Sequence, residues 1–320
     1  MTKQKDSLGR RASDKRQSSG KQLRLTDQDR LWLQKLHQHG PLPTSYLLAY
    51  TQHLRASEKR QSERLGDLFH EETTKHGGAY IDRPPQQFAT HKAGYNQLVH
   101  QVSKSGLKAL KEVDLEHQAN THKGPWVHKH MVACITASIE LATLARPDVS
   151  FIAQHDILDR AKASLTIPLK IAEPGSAQFR RKDLTPDGLF GLAYHTNDGD
   201  RFRFFVLEAD RSTEPVTSSN WNRKSFQRHL AQYEALITEG AYRDHFKLTA
   251  PLLVLNVVPD QARIDLMLRA TERQVGDCAY QLFQCFEAFA PPWKPPEPNF
   301  NLLNAEWLRS ECDPFRIDLV

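Results

Sequence analysis

Cysteine is scarce in this 320-residue chain: only Cys134, Cys278, Cys285 and Cys312 occur, and no two form a Cys-x-x-Cys pair. That excludes a structural zinc site built on paired thiolates and gives no sign of a disulfide framework. Cys278 and Cys285 stand seven residues apart on what reads as a helix. Long apolar runs are also missing. None approaches the length that spans a bilayer, and the N-terminus is basic and polar with no apolar core of a leader. The expectation is a cytosolic protein with no membrane contact. Internal repeats are absent as well, so a solenoid is not expected.

Basic charge is present but confined. The net charge is +5, yet residues 1–25 hold eight Lys and Arg against Asp6 and Asp14, which leaves the remainder close to neutral. Ser, Gln and Gly fill the gaps in residues 1–24, so a disordered basic tail is expected there. Such a tail either collects phosphate contacts on nucleic acid or only solubilises the chain.

Beyond the tail, Thr26-Asp27-Gln28-Asp29 has the form of a helix start with a capping box. Two further short helices are expected over Thr44–Tyr50 and about Ser57–Glu72, then a strand over Tyr95–Val102 and a helix from Ser103. Three helices, a β-rich excursion and a closing helix over 25–116 fit a winged helix-turn-helix, in which the third helix enters the major groove. Lys59, Arg60, Gln61 and Arg64 on that helix, with Lys92 beyond it, are the candidate DNA contacts. A small helical domain that binds protein fits the same pattern. The nine His between residues 26 and 125 are scattered and read as surface residues.

Residues 117–125 read as a linker, and 126–290 as a second domain. Its expected order is a long helix from Trp126, strands over Val149–Ala153, Leu184–Tyr194 and Arg201–Asp210, a helix over Asn220–Glu239, a strand over Leu252–Val258 and a helix over Gln261–Gln274. Lys170–Lys182 looks like a loop, and Asn197-Asp198-Gly199 like a hairpin turn. The pattern predicts a mixed sheet with helices on both sides. The Pro-rich stretch over 291–320 is expected to lie extended on the surface.

One segment of that domain carries chemistry. The apolar run Phe204-Phe205-Val206-Leu207 ends in Glu208-Ala209-Asp210, two carboxylates that strand periodicity points to one face. Asp187, in Pro186-Asp187-Gly188, precedes the neighbouring strand. Carboxylates on adjacent strand ends can hold Mg²⁺ or Mn²⁺ and activate water for phosphodiester hydrolysis. The position two after Glu208, where such cores often carry Lys, is acidic here, so a basic group has to come from the next helix: Lys224, Arg228 or His229. Each carboxylate also has a plainer reading, as a turn residue, a helix cap or an ion-pair partner.

Taken together, these residues resemble the replication-relaxation family, found in bacteria and often on plasmids and other mobile elements. The match is carried by Leu25-Thr26-Asp27-Gln28-Asp29-Arg30, Ser103-Lys104-Ser105-Gly106, His128 and His130, Pro186-Asp187, and Glu208 to Glu214 leading to a helix with Tyr233. The resemblance implies a winged helix followed by a restriction-endonuclease-like α/β domain of the PD-(D/E)XK kind. It implies double-stranded DNA as partner, beside a relaxase or a replication initiator. It assigns the acidic site to Asp187, Glu208 and Asp210, with His229 where the family tends to place Lys. What it implies is a metal-dependent nicking enzyme or a scaffold that has lost that activity.

Overall fold

The computed structural model describes residues 13–54, 57–90, 96–117, 125–172, 179–218, 220–290 and 294–320, without the side chains of 89 and 90. They fall into two compact units, one within Met1–Ala137 plus Pro292–Pro298, the other within Ser138–Pro291 plus Asn299–Val320.

The first unit opens with α1 (Asp27–His39), β1 (Leu42–Pro43), α2 (Thr44–Thr51) and α3 (Glu58–His70). It continues through β2 (Ile81–Asp82), α4 (Gln86–Thr90), β3 (Val99–Val102) and α5 (Lys104–Lys111) into α6 (Trp126–Leu144), whose residues after Ala137 belong to the second unit. The expected capping box forms: Thr26 Oγ1 accepts from the Asp29 N–H at 3.2 Å, and Asp29 Oδ2 accepts from the Thr26 N–H at 2.8 Å. Ser57 and Ser103 cap α3 and α5 with their hydroxyls alone, accepting from the Arg60 and Gly106 N–H groups. Trp32, Leu33 and Leu36 of α1 are buried with Tyr46, Leu47, Leu65 and Leu68. The indole N–H of Trp32 donates to the Leu47 carbonyl at 2.7 Å, so the ring is buried with its polar group satisfied. The three short strands form one antiparallel sheet in the order β1-β3-β2.

Two expectations for this unit fail. Residues 13–24 have no regular secondary structure, but they are docked on α3 and β2 and not free. Glu71 is fully buried, and a buried carboxylate needs donors. The Ser18 hydroxyl donates to Glu71 at 2.8 Å, as does the Ser19 backbone N–H. Arg16 pairs with Asp82, and Lys21 with Asp67. Residues 1–12 and 118–124 lie outside the described residues. Nor are the histidines uniformly on the surface. His37, His39, His70, His76 and His100 are buried, because a neutral imidazole can fill core space once its nitrogens find partners. His39 bonds Thr136 at 2.8 Å and Tyr50 at 3.1 Å. Burial holds His100 well below the ordinary imidazole range.

The second unit is a seven-stranded mixed sheet in the order β12-β11-β10-β9-β8-β7-β4. Its chain order is β4 (Val149–Ile152), α7 (Gln154–Ala161), β5 (Lys170–Ala172), β6 (Phe179–Arg181), β7 (Gly188–Thr196), β8 (Gly199–Ala209), α8 (Phe226–Thr238) and α9 (Ala241–Phe246). Then follow β9 (Leu252–Val258), α10 (Gln261–Gln274), β10 (Cys278–Cys285), α11 (Asn301–Asn304), β11 (Glu306–Ser310) and β12 (Cys312–Arg316). β8, β9 and β10 are parallel neighbours, and every other pairing in the sheet is antiparallel. β7 and β8 pair continuously down to Thr196 opposite Gly199, whose φ of 108° closes the expected hairpin. Phe204, Val206, Tyr233, Leu236 and Val254 form a core cluster on one face. Phe190 and Phe205, opposite one another across the hairpin, stack at 5.1 Å.

Three segments of this unit differ from expectation. Cys278–Cys285 is a strand and not a helix, and all four cysteines are free thiols. The stretch expected as a loop contributes β5 and β6, which pair antiparallel. Residues 299–320 do not trail over the surface; β11 and β12 extend the sheet, and Trp307 is fully buried.

Candidate functional site

β8 enters the site as an apolar strand and leaves it as an acidic one. Phe204, Val206, Glu208 and Asp210 alternate with Phe205, Leu207 and Ala209, and the even-numbered set faces α8 and α10. Asp187 sits just before β7, whose first residue Gly188 pairs with Leu207. The antiparallel register therefore brings Asp187 beside the end of β8. Its backbone N–H donates to the Leu207 carbonyl at 2.9 Å, and its Oδ2 accepts from the Ala209 N–H at 2.9 Å. Asp187 thus closes the last rung of the ladder with its own side chain.

Glu208 faces α8. The Tyr233 hydroxyl donates to Glu208 Oε1, and His229 Nδ1 lies 3.8 Å from Oε2. Burial raises the Glu208 carboxyl well above the ordinary range, the Asp187 carboxylate raises it further, and the Tyr233 hydroxyl works in the opposite direction. Burial and the neighbouring Glu208 push the Tyr233 phenol well above its usual value. Burial lowers His229 to about 4, assisted by the positive charges of Lys224 and Arg228 and opposed by Asp187. At neutral pH His229 is an uncharged ring, and it does not replace a catalytic lysine as a cation.

Asp210 shares Glu208's face but is already engaged. Arg263, in the first turn of α10, reaches it through both Nη2 and Nε, the latter at 3.1 Å. The Ser212 N–H donates to its other oxygen at 2.5 Å, and Arg263 also donates to the Glu214 carbonyl at 2.8 Å. The pair is largely buried, with side chains 8% and 15% exposed. Arg263 is therefore the cation that neutralises Asp210.

Mg²⁺ or Mn²⁺ is held by one or two ionised carboxylates, with water or substrate phosphate completing its shell. Here Asp187 holds a backbone N–H, Glu208 is biased toward its neutral form against a phenol, and Asp210 is spent on a guanidinium. Among the described residues no three His, Cys, Asp or Glu gather where they could hold a metal ion. Asp210 is therefore not a free ligand, and a hold on Mg²⁺ or Mn²⁺ would rest on the neighbouring Asp187 and Glu208. As arranged, the three carboxylates form a ladder closure, a carboxyl–phenol contact and an ion pair.

In the first unit the four basic-helix candidates divide. Lys59 and Arg60 are exposed on α3. Gln61 is buried, and its Oε1 accepts from the Thr51 hydroxyl at 2.6 Å, so it cannot reach a groove. Arg64 donates to Asp29 through Nε at 3.0 Å and Nη2 at 2.6 Å, with Asp29 itself fully buried. Asp29 holds that guanidinium in its charged form, raising it above the ordinary arginine value. Lys92 lies outside the described residues. His130 is buried, with Nδ1 2.9 Å from the Pro41 carbonyl and its ring stacked on Trp126 at 5.4 Å.

Sequence reasoning missed two site residues, Arg263 and the role of Tyr233. Both left a trace. Arg263, Met267 and Ala270 share one helical face, and a charged residue on an inward face signals a buried partner. Tyr233 falls on the apolar stripe of α8 with a hydroxyl to satisfy.

No helix among the described residues is long and apolar enough to cross a membrane. A family model described as replication-relaxation matches residues 33–251, about two thirds of the chain. No curated protein and no solved structure matches.

Proposed function

The chain belongs to the replication-relaxation family, and on that premise we propose that it is a duplex-DNA-binding protein that acts in replication or relaxation of a plasmid or other mobile element without cutting DNA. The first unit supports the binding half of this reading. Its order α1-β1-α2-α3-β2-α4-β3, with a β1-β3-β2 sheet, supports reading it as a winged helix-turn-helix with α4 inserted between the wing strands. In that arrangement α3 is the recognition helix and β2–β3 the wing. The outer face of α3 offers Lys59 and Arg60, while Gln61 and Arg64 brace it from behind.

The second unit supports a nuclease-like reading by its order: the end of α6, antiparallel neighbours β4, β7 and β8 with α7, β5 and β6 inserted after β4, then α8 and β9 parallel to β8. Asp187 and Glu208 stand where a PD-(D/E)XK core carries its acids. The observation that carries the non-catalytic half is the Asp210–Arg263 pair. The position that supplies positive charge in a cutting enzyme here consumes it. The domain keeps the scaffold, and its role becomes positioning the DNA-bound protein beside a relaxase or a replication initiator.

A mobility-shift titration tests the binding half. Duplex affinity should fall steeply with salt, and Lys59→Gln with Arg60→Gln should flatten the log–log slope by about 0.9 for each charge removed. No shift at low salt refutes it. For the second half, supercoiled plasmid should stay intact with Mg²⁺ or Mn²⁺. Nicking that disappears in Asp187→Ala and Glu208→Ala restores the nuclease reading.

A further inference from the structure

The β5–β6 hairpin has two unlike faces. Register places Lys170 opposite Arg181, Ile171 opposite Arg180, and Ala172 opposite Phe179. Strand alternation therefore puts Lys170, Ala172, Phe179 and Arg181 on one face. On the other face Ile171 is buried, whereas all four residues of the first face are exposed. Phe179 is 67% exposed, more than any other large apolar side chain among the described residues.

This face is an odd way to finish a hairpin. Lys170 and Arg181 are like charges set directly across from each other, an arrangement that weakens a strand pair. Ala172 opposite Phe179 leaves the ring without a cross-strand cover. The hairpin is nevertheless held firmly at its base. Ile167 pairs with Leu184, the Lys182 N–H donates to the Leu169 carbonyl at 2.9 Å, and the Gln232 amide donates to the Lys182 carbonyl at 3.0 Å. Ile167, Leu169 and Leu184 belong to the unit's core cluster. Asp183 fixes the Arg181 guanidinium through two hydrogen bonds of 2.8 and 3.0 Å. The outer face thus presents an exposed aromatic ring with two basic side chains toward the hairpin's base, Lys170 and the Asp183-paired Arg181.

We propose that this face, Lys170, Phe179 and Arg181, binds single-stranded DNA. An exposed ring with basic groups beside it suits an unpaired base on the ring and a phosphate on the side of those groups, a contact that tolerates any base because every base has a π face. A fully paired duplex keeps its bases stacked on each other and cannot offer one to Phe179. The inference extends the DNA-binding reading to a second, chemically different contact, and it stands on the second unit alone.

The test uses the full chain with a fluorescein-labelled 20-nucleotide thymidine strand and a 20-base-pair duplex, read by anisotropy across salt concentrations. Phe179→Ala should weaken single-strand binding about five-fold or more, the lower end for loss of one stacked base. Duplex affinity should hold within about two-fold, since the stacking contact is one a duplex does not make. Phe179→Trp should restore binding, and Phe179→Leu should not. Lys170→Gln should flatten the single-strand salt slope by about 0.7. Because the ring is exposed, a thermal melt of Phe179→Ala matching the parent excludes misfolding. Unchanged single-strand affinity in Phe179→Ala, or an equal loss on duplex, overturns the proposal. Phe179-dependent single-strand binding without any duplex binding upholds it while refuting the winged-helix reading. Duplex binding sensitive to Lys59 and Arg60 with no single-strand binding does the reverse.

Discussion

His229 offers a stability measurement with a sign and a size. In the folded protein its ring is held neutral, with a pKa lowered to about 4 from the usual 6.5. Burial is the main cause. Of the charged groups around it, Lys224 and Arg228 oppose protonation, while Asp187 favours it; Glu208 lies 3.8 Å away. Between pH 6.5 and 4 the unfolded chain binds a proton at this position and the folded chain does not. Folding stability therefore falls as pH drops through that window and is unaffected by this group above it. A tenfold displacement of an acid equilibrium is worth about 1.4 kcal/mol, so the full loss is about 3 kcal/mol, and by pH 5 it is about 2 kcal/mol.

His229→Gln keeps a polar side chain of similar reach and cannot titrate. Urea unfolding of parent and variant at pH 8 and pH 5 gives the comparison. The parent should lose about 2 kcal/mol more than the variant on acidification, or about 4–8 °C in melting temperature for a unit of this size. Other titrating groups, the buried His100 among them, cancel in the difference of differences. Equal losses in the two proteins would refute the placement of a neutral ring against Glu208.

Two further substitutions probe the frame around the site and the first unit. Arg263→Met strands the largely buried Asp210 carboxylate and should cost about 3–5 kcal/mol in urea unfolding, while Arg263→Met with Asp210→Asn should lose less, because no charge is left behind. Gly106→Ala lies in α5, where alanine ordinarily gains about 1 kcal/mol over glycine. Here the added Cβ would clash with the Tyr80 carbonyl oxygen and meet Val102 Cγ2 at 2.8 Å. The sign should therefore invert to a loss of about 1–3 kcal/mol, and a rise in melting temperature would contradict the packing.

Elements with local signals were legible in the sequence, and elements defined by distant partners were not. Leu252–Val258 and Gln261–Gln274 coincide with β9 and α10 to the residue, because an apolar run and the Asp260 cap are written in adjacent positions. Cys278–Cys285 misled because its strand buries polar groups. Gln281 is almost fully buried and its Oε1 accepts from Asn256 at 2.7 Å on the parallel neighbour, so polarity there does not mark the solvent side. The acidic site was half legible. Strand alternation put Glu208 and Asp210 on one face, but the guanidinium that claims Asp210 lies 53 residues downstream. Likewise Arg64, an obvious phosphate contact on a basic helix, is claimed by Asp29 from 35 residues away. Charge runs read from sequence overcount free charge wherever the fold supplies a buried counterion.

Tyr233→Phe tests whether the phenol on Glu208 blocks a carboxylate pair with Asp187 from binding metal. If the phenol were only a plug on Glu208 Oε1, removing it would free a carboxylate pair with Asp187. Two carboxylates, one of them already accepting the Ala209 N–H, hold a divalent ion only with water and substrate phosphate as its remaining ligands, and so weakly without DNA. Asp210 cannot join them while Arg263 holds it. Tyr233→Phe should therefore lose about 1 kcal/mol, the worth of one hydrogen bond, and gain little metal affinity without DNA. The loss should also grow with pH. Glu208 has a raised folded pKa, so the stability linked to it is full below the ordinary carboxylate range and is lost as pH rises. Without the phenol, which favours the ionised form, that loss deepens. Thermal melts at pH 5 and 8, each with and without 10 mM Mn²⁺, separate the cases. An ion bound at a hundredth of that concentration would add about 2.7 kcal/mol. A Mn²⁺-dependent rise confined to Tyr233→Phe would mean that a competent metal site lies behind a single hydroxyl. The ion-pair argument at Asp210 would then be wrong.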